Sequence, residues 1–208
     1  MDNLIGLGFS IIAIIIALTF HEAAHAWMAN KLGDPTARLQ GRVSLNPLVH
    51  LDFLGTILIF IIGIGWGKPV PVDDRNFQNP RRDTTLVAAA GPFANLIIAI
   101  ICTIALQYLP AGNLLQLFLT ISLSLNLTLI ALNLLPIPPL DGSKILSIFI
   151  PKRYYYRYQE FINANLVYIL IFFLFDSQFG PKIYGDSLIS LYLSTASDFL
   201  GGLLWFTT

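Results

Sequence analysis

Long apolar stretches dominate the hydrophobic pattern of this chain, and the longest could cross the roughly 30 Å hydrocarbon core of a bilayer as helices. Five stretches predict membrane-spanning helices, at residues 4–29, 84–109, 113–135, 159–175 and 187–206. A sixth apolar segment, residues 54–66, is shorter and contains Gly55, Gly63 and Gly65. Its length and its glycines favour a re-entrant segment over a full span. The pattern therefore predicts an all-α polytopic membrane protein with about five transmembrane helices.

The region between the first two predicted spans has a different character, because Gly and Pro interrupt it repeatedly. Two short pieces within it, residues 38–44 and 68–72, have strand-like patterns. We therefore expect a re-entrant, short β-containing region between the first and second spans. The sequence contains no internal repeat, linker or low-complexity segment, so we expect residues 1–208 to form a single domain.

Composition supports a membrane protein and excludes other classes of protein. Hydrophobic residues make up 55% of the chain and charged residues 12%, whereas about a quarter of the residues in a soluble protein are charged. Mean hydropathy is +0.70. The formal net charge is zero and no basic block could neutralise a run of phosphates, so nucleic acid is not an expected partner. The expected surroundings are a lipid bilayer.

The basic residues predict how the chain is oriented. Nearly all of them lie in three loops, which contain Lys31, Arg38 and Arg42; Lys68, Arg75, Arg81 and Arg82; and Lys144, Lys152, Arg153 and Arg157. These loops fall on one side of the membrane if residues 54–66 dip into it, and on alternating sides if those residues cross it. Because basic loops favour the cytoplasm, we expect the re-entrant arrangement, with the N-terminus outside and the three loops inside.

His21, Glu22 and His25 form an HExxH motif at the end of the first apolar stretch. Histidines four residues apart project from one helix face and can share one metal ion, with the glutamate turned toward a water on that metal. Ionisable groups are costly in such apolar surroundings unless they have a function. The motif predicts zinc-dependent water chemistry inside a membrane, with one Zn²⁺ per chain.

Catalytic zinc sites usually take a third protein ligand and leave the fourth position to water. Asp141 is the best candidate, since it follows a proline-rich segment where the helix at residues 113–135 leaves the membrane. In the five-span arrangement that helix runs parallel to the first one, so Asp141 and the two histidines all lie toward the cytoplasmic side. Taken alone, an Asp-Gly pair such as Asp141-Gly142 is also common in turns at the end of a helix.

Three motifs, in this order, resemble those of the site-2 protease family of intramembrane zinc metalloproteases. They are His21-Glu22-x-x-His25, Gly91-Pro92-Phe93-Ala94-Asn95 and Asn133-x-x-Pro136-x-Pro138-x-x-Asp141-Gly142. The resemblance implies zinc ligation by His21, His25 and Asp141. It also implies that Glu22 is the catalytic base and that Asn133 faces the cleft. The chain resembles a compact, core-only member without PDZ or CBS domains, which suggests a prokaryotic cell membrane.

The family resemblance implies an endopeptidase that cleaves transmembrane segments of membrane-protein substrates, as in regulated intramembrane proteolysis. A membrane metal-ion transporter is an alternative, in which the same side chains hold a cargo ion. A non-catalytic zinc-binding membrane adaptor is another, although a structural zinc site usually has four protein ligands and only three are evident. The sequence does not specify an oligomeric state.

Three further polar residues each have two interpretations. Asn133 either donates a hydrogen bond to the carbonyl oxygen as charge develops on it, or bonds to a neighbouring helix. The same two roles are possible for Asn95, and we expect the packing role. His50 is either a spare ligand or metal-site partner, or a residue that stabilises its own loop. We expect the loop role.

Overall fold

The computed structural model describes residues 2–52, 67–110 and 112–205. Within these ranges the chain is mainly helical and contains no β-strand. The α-helices found there are α1 (Asp2–Lys31), α2 (Thr36–Leu39), α3 (Pro80–Tyr108), α4 (Leu114–Leu134), α5 (Asp141–Leu146), α6 (Tyr155–Tyr184) and α7 (Leu188–Trp205). Short 3₁₀ turns occur at Pro47–Val49, Asp74–Asn76, Ser147–Phe149 and Lys152–Tyr154.

Three helices form the centre of the molecule. In the described ranges α1 (from Leu4), α3 and α4 are each long and apolar enough to cross a membrane. Each of the three packs against the other two. The first three predicted spans are therefore confirmed as long apolar helices.

The fourth and fifth predicted spans fall on α6 and α7, which are both helical. In the described part of the chain these helices reach the length and apolarity of a span only as a bent pair, Phe175–Ile183 with Leu188–Leu204, at 94° to one another. That pair brings the number of candidate spans from 3 to at most 4 in the residues described. The five-span count remains a prediction.

Local sequence sets both ends of α4. Asn113 precedes the helix, and its side-chain oxygen accepts a hydrogen bond from the Gln116 backbone N–H at 2.6 Å. This bond satisfies one of the N–H groups that lack a partner at a helix start. At the other end Leu135 leaves the helical conformation, as expected for the residue that precedes Pro136. The chain is therefore redirected just before Asp141.

Small side chains let α1 approach its neighbours closely. Ala13, Ala17, Ala26 and Ala29 are all fully buried. Small residues at helix contacts are typical of membrane proteins, because close backbone approach replaces the hydrophobic driving force that lipid removes. This close packing brings the histidine face of α1 against α3.

The predicted β-containing region differs in the structure. Residues 38–44 are not a strand: they begin in the last turn of α2 and continue as turns and bends. The reason lies upstream, where the Asp34 carboxylate accepts the Thr36 backbone N–H and starts a helical turn after Pro35. Residues 68–72 form neither a helix nor a ladder, and an isolated bridge joins Leu51 to Gly67. The predicted re-entrant segment, residues 54–66, lies outside the described residues.

Contacts between α1 and α3 place the two motif histidines at one end of the three-helix bundle. The His25 ring meets Val87 near the start of α3, and the rings of both motif histidines lie against Gly91, one turn further along. Thus α1 and α3 are antiparallel, and the end of α1 lies beside the start of α3. The short α5, which follows α4, packs against α3 at the same end.

Candidate metal centre

Three side chains from two distant parts of the chain converge on one point. The Nε2 atoms of His21 and His25 are 3.0 Å apart. The Asp141 Oδ2 atom lies 3.2 Å from each of them. All three residues are buried, with exposed fractions of 5%, 7% and 8%. The structure thus brings together the three ligands predicted from the sequence, as a group that could hold a metal ion.

The spacing of these donors fits zinc. Zinc binds histidine nitrogen and carboxylate oxygen at about 2.0–2.2 Å in tetrahedral geometry, which places neighbouring donors about 3.3–3.5 Å apart. The observed separations of 3.0, 3.2 and 3.2 Å are close to that value. Two imidazole nitrogens and a carboxylate oxygen are also a donor set that zinc accepts. The residues present therefore fit a three-ligand zinc site.

His25 is oriented by a backbone group of α3. Its Nδ1 lies 2.7 Å from the Val87 carbonyl oxygen. A hydrogen bond at the far ring nitrogen fixes the orientation of a metal-binding histidine and is a common feature of zinc sites. The corresponding Nδ1 of His21 is buried and has no hydrogen-bond partner among the described residues.

Asp141 owes its position to the glycine that follows it. It is the first residue of α5, and a Cβ on Gly142 would lie only 2.2 Å from the Leu135 carbonyl oxygen and 2.5 Å from that of Leu134. Only glycine permits this approach of α5 to the end of α4. Burial alone would raise the pKa of Asp141, but the two histidine side chains beside it hold that pKa well below its usual range. The carboxylate is the form of aspartate that binds metal.

Gly91, the first residue of the Gly91-Pro92-Phe93-Ala94-Asn95 motif, lies directly against the two motif histidines. A Cβ at residue 91 would lie 2.5 Å from the Nε2 atom of His25 and 2.6 Å from that of His21. These are the atoms that face the candidate metal position. The absence of a side chain on α3 at this point keeps the centre open. Nothing in the sequence alone indicated that this glycine of α3 faces the histidines of α1.

Glu22 contacts a loop segment that is distant in sequence. The Val70 backbone N–H donates a hydrogen bond to its Oε2 atom at 3.2 Å. The carboxylate is half-buried, unlike the two histidines that flank it, which are buried. Glu22 is thus held beside the candidate metal centre by the extended segment at residues 68–72.

The remaining candidates have simpler surroundings. Asn133 is half-buried, and its Nδ2 donates to the Leu129 carbonyl of its own helix at 2.9 Å. Asn95 is fully buried, and its side-chain amide has no hydrogen-bond partner among the described residues. His50 is buried, and its Nε2 lies 2.7 Å from the Ser44 carbonyl oxygen. The structure does not place His50 among the grouped ligands, and its contact lies within its own loop.

Known proteins share this sequence over most of its length. The sequence profile of peptidase family M50 matches residues 9–116 and 110–176. "Putative zinc metalloprotease YwhC" of Bacillus subtilis (strain 168) is 40% identical over 175 residues, which cover 80% of each chain. "Putative zinc metalloprotease Rip2" of Mycobacterium tuberculosis (strain ATCC 25618 / H37Rv) is 33% identical over 77% of this chain and 64% of its own length.

A third relative, "Putative zinc metalloprotease MJ0611" of Methanocaldococcus jannaschii, is 32% identical over 67% of this chain and 73% of its own length. A comparison with solved structures gave no match. The family match covers well over half of the chain and includes both histidines, Gly91 and Asp141. The chain therefore belongs to peptidase family M50.

Proposed function

We propose that this protein is a zinc-dependent intramembrane endopeptidase, which hydrolyses peptide bonds within or near transmembrane segments of other membrane proteins. The observation that carries the proposal is the grouping of His21, His25 and Asp141 at donor separations of 3.0–3.2 Å, with both histidines on an apolar, membrane-length helix and Asp141 at the start of the short α5. Membership of a peptidase family, and the zinc metalloprotease names of its relatives, support hydrolysis over transport of a cargo ion.

We place the active site toward the cytoplasmic side of a prokaryotic cell membrane. Every lysine and arginine except Lys182 lies in the loops, or at the helix ends, on the side of the bundle that carries the metal centre. Basic residues beside spans favour the cytoplasmic side. In α1, His21 follows Leu4 by about 25 Å of helix, which places it near the far boundary of the hydrocarbon.

The roles of the ligands follow from their chemistry. His21, His25 and Asp141 would hold the zinc ion and leave its remaining position accessible. When bound there, zinc polarises the peptide carbonyl and lowers the pKa of a water molecule. The deeply buried protein groups around this position keep other water away from it.

Glu22 is proposed as the general base. Its carboxylate takes a proton from the attacking water, whose oxygen forms the new bond to the peptide carbonyl carbon. Glu22 then gives that proton to the leaving amine as the C–N bond breaks. A half-buried carboxylate whose Oε2 accepts one backbone N–H suits this role, because its second oxygen accepts no hydrogen bond from the described residues and can take the proton.

Asn133 is proposed to donate a hydrogen bond to the carbonyl oxygen as negative charge develops on it. A side-chain amide carries two hydrogens. One of them is used in the bond to the Leu129 carbonyl, which fixes the amide beside the end of α4. The other is available to a substrate.

A transmembrane substrate must lose its helical hydrogen bonds near the scissile peptide before attack. The extended segment at residues 68–72 lies against Glu22 and belongs to no sheet among the described residues. We propose that an unwound substrate lies along this segment, so that main-chain hydrogen bonds replace those lost from the substrate helix.

The test is cleavage of single-span membrane proteins by purified, zinc-loaded protein, with Glu22→Gln as the decisive variant. We expect Glu22→Gln to keep its zinc and to lose cleavage by about 10²- to 10⁴-fold, the usual contribution of a general base. Glu160→Gln is the matched control, because Glu160 is exposed and lies on α6. A Glu22→Gln protein that cleaves as fast as wild type would overturn the assignment of Glu22 as the general base. A zinc-loaded wild-type protein that cleaves none of these substrates would overturn the endopeptidase proposal.

A further inference from the structure

Arg42 is a buried charged residue next to the candidate active site, and only 3% of its surface is exposed. Its guanidinium donates a hydrogen bond to the Pro69 carbonyl at 3.0 Å and another to the Lys68 carbonyl. Burying an arginine is costly unless its donors are satisfied. Both terminal nitrogens of Arg42 have these partners, and its Nε has none among the described residues. This arginine is therefore committed to the backbone of residues 68–69, which is 26 residues away in sequence at its nearest point.

The residue that follows this pair is Val70, whose N–H donates to the Glu22 carboxylate. Val70 stands between Pro69 and Pro71, which have no N–H. Within residues 69–71 the Val70 N–H is thus the only backbone donor. The position of this one peptide group, held by Arg42 through the carbonyls just before it, therefore decides whether Glu22 accepts this hydrogen bond.

The charges of Arg42 and Glu22 also act on each other. Burial lowers the pKa of Arg42, and the negative charge of nearby Glu22 opposes that change. Arginine nevertheless remains protonated in proteins. A fixed positive charge on Arg42 thus lies close to the Glu22 carboxylate without forming a salt bridge to it.

A separate set of contacts ties the far end of the same segment. The Asp34 carboxylate accepts hydrogen bonds from the Asp73 backbone N–H and from the Asn76 side-chain amide, both at 2.8 Å. The segment would therefore stay attached to the protein if Arg42 were changed. Lys68 is also held through its own N–H, which donates to the His50 carbonyl at 2.8 Å. Arg42 acts on the carbonyls of residues 68 and 69, which directly precede Val70.

We propose that Arg42 is a positioning residue for peptide hydrolysis: it fixes the backbone of residues 68–70 so that the Val70 N–H holds one oxygen of Glu22. The other oxygen of Glu22 is thereby aimed at the attacking water. This inference rests on the proposed function, because it assigns Arg42 a role through Glu22. Loss of Arg42 should lower the rate of the chemical step more than the affinity for substrate.

The kinetic test compares Arg42→Gln, Arg42→Lys and wild type with zinc bound. We expect Arg42→Gln to lose about tenfold or more in kcat, with a smaller change in KM and with zinc content unchanged. Arg42→Lys should lose less activity than Arg42→Gln, because lysine keeps the positive charge but not the bidentate donor geometry of arginine. Arg38→Gln is the matched control, since Arg38 is exposed at the end of α2, and should cleave at the wild-type rate.

Hydrogen exchange provides a readout that does not depend on activity. Because Pro69 and Pro71 lack amides, a peptide covering residues 68–72 reports only the amides of Lys68, Val70 and Val72. We expect the Val70 amide to exchange about tenfold or more faster in Arg42→Gln than in wild type, and likewise in Glu22→Ala.

The outcomes separate the two proposals. If wild type cleaves no substrate, the proposed function fails. If Glu22→Gln cleaves normally, Glu22 is not the general base and the positioning role of Arg42 fails with it. If Glu22 is essential but Arg42→Gln leaves both kcat and Val70 exchange at wild-type values, only the positioning role is overturned. A change in KM alone, or in zinc content alone, would also overturn it.

Discussion

The ring of His25 and the carbonyl oxygen of Val87 are 2.7 Å apart, and this contact decides which imidazole nitrogen faces the candidate metal. A carbonyl oxygen can only accept a hydrogen bond, so Nδ1 of His25 carries the proton. The lone pair on Nε2 is then directed toward His21 and Asp141. A backbone group of α3 thus selects the metal-binding form of a side chain on α1.

Asp141→Asn should reduce zinc binding strongly. The substitution keeps the size of the side chain but removes the negative charge that completes the donor set. We expect zinc affinity to fall by more than the roughly 10- to 100-fold that loss of an outer hydrogen-bond partner costs. Metal analysis of the purified protein after dialysis measures how much zinc it retains. Asp198→Asn, at an exposed position on α7, is the control and should keep its zinc.

Gly91→Ala should lose zinc without unfolding α3. Alanine is favoured over glycine inside a helix by about 1 kcal/mol. Its Cβ, however, would come within 2.6 Å of the Nε2 atoms of both His21 and His25. We expect zinc affinity to drop about 10- to 100-fold while the circular dichroism of the helices is unchanged. Gly8→Ala on α1 meets no atom within 4 Å and should behave as wild type. Normal zinc binding by Gly91→Ala would contradict the close approach of α1 and α3.

Gly142→Ala should destabilise the protein and displace Asp141. The added Cβ would meet the carbonyls of Leu134 and Leu135, which are backbone atoms at the end of α4 and cannot rotate away. Overpacking of this kind costs about 1–3 kcal/mol. Thermal unfolding in detergent, together with zinc content, measures both effects. Gly202→Ala on α7 has no neighbour within 4 Å and should leave both quantities unchanged.

The hydrogen bonds that the Asp34 carboxylate accepts from Thr36, Asp73 and Asn76 should weaken in acid. Burial alone would raise the pKa of Asp34, but hydrogen bonds from Thr36, Asp73 and Asn76 lower it overall. A carboxylate whose pKa is lower in the folded state stabilises that state fully above its unfolded pKa of about 4, and loses this contribution as the pH falls through its folded value. We expect exchange of the Asp73 amide to accelerate below about pH 4. In Asp34→Asn the same amide should exchange rapidly at neutral pH, with little further change in acid.

The sequence identified the three candidate ligands by signals of different strength. The four-residue spacing of His21 and His25 places them on one helix face whatever surrounds the helix. Asp141 could be assigned only through the direction of the spans and the family resemblance, since an Asp-Gly pair is also common in turns. The three central helices were also predictable from the sequence, because their length and apolarity identify them without knowledge of the helices they pack against.

Contacts between distant segments were not predictable in the same way. The role of Gly91 depends on how closely α1 and α3 cross, and nothing in the local sequence encodes that distance. The bond from Val70 to Glu22 joins residues that are 48 positions apart. The strand expected at residues 38–44 was wrong. The Asp34 carboxylate accepts the Thr36 N–H in a local turn, and the helical turn Thr36–Leu39 follows it in place of the strand.

The donors of the metal centre come from the two halves of the chain, two from α1 and one from the start of α5. An ion held there is a cross-link that exists only in the folded state. By mass action, a ligand that binds only the folded form stabilises it by about 4 kcal/mol at a thousand times its dissociation constant. Metal supply and conformational stability are thus coupled in this protein, and chelation should lower its thermal midpoint as well as stop its chemistry.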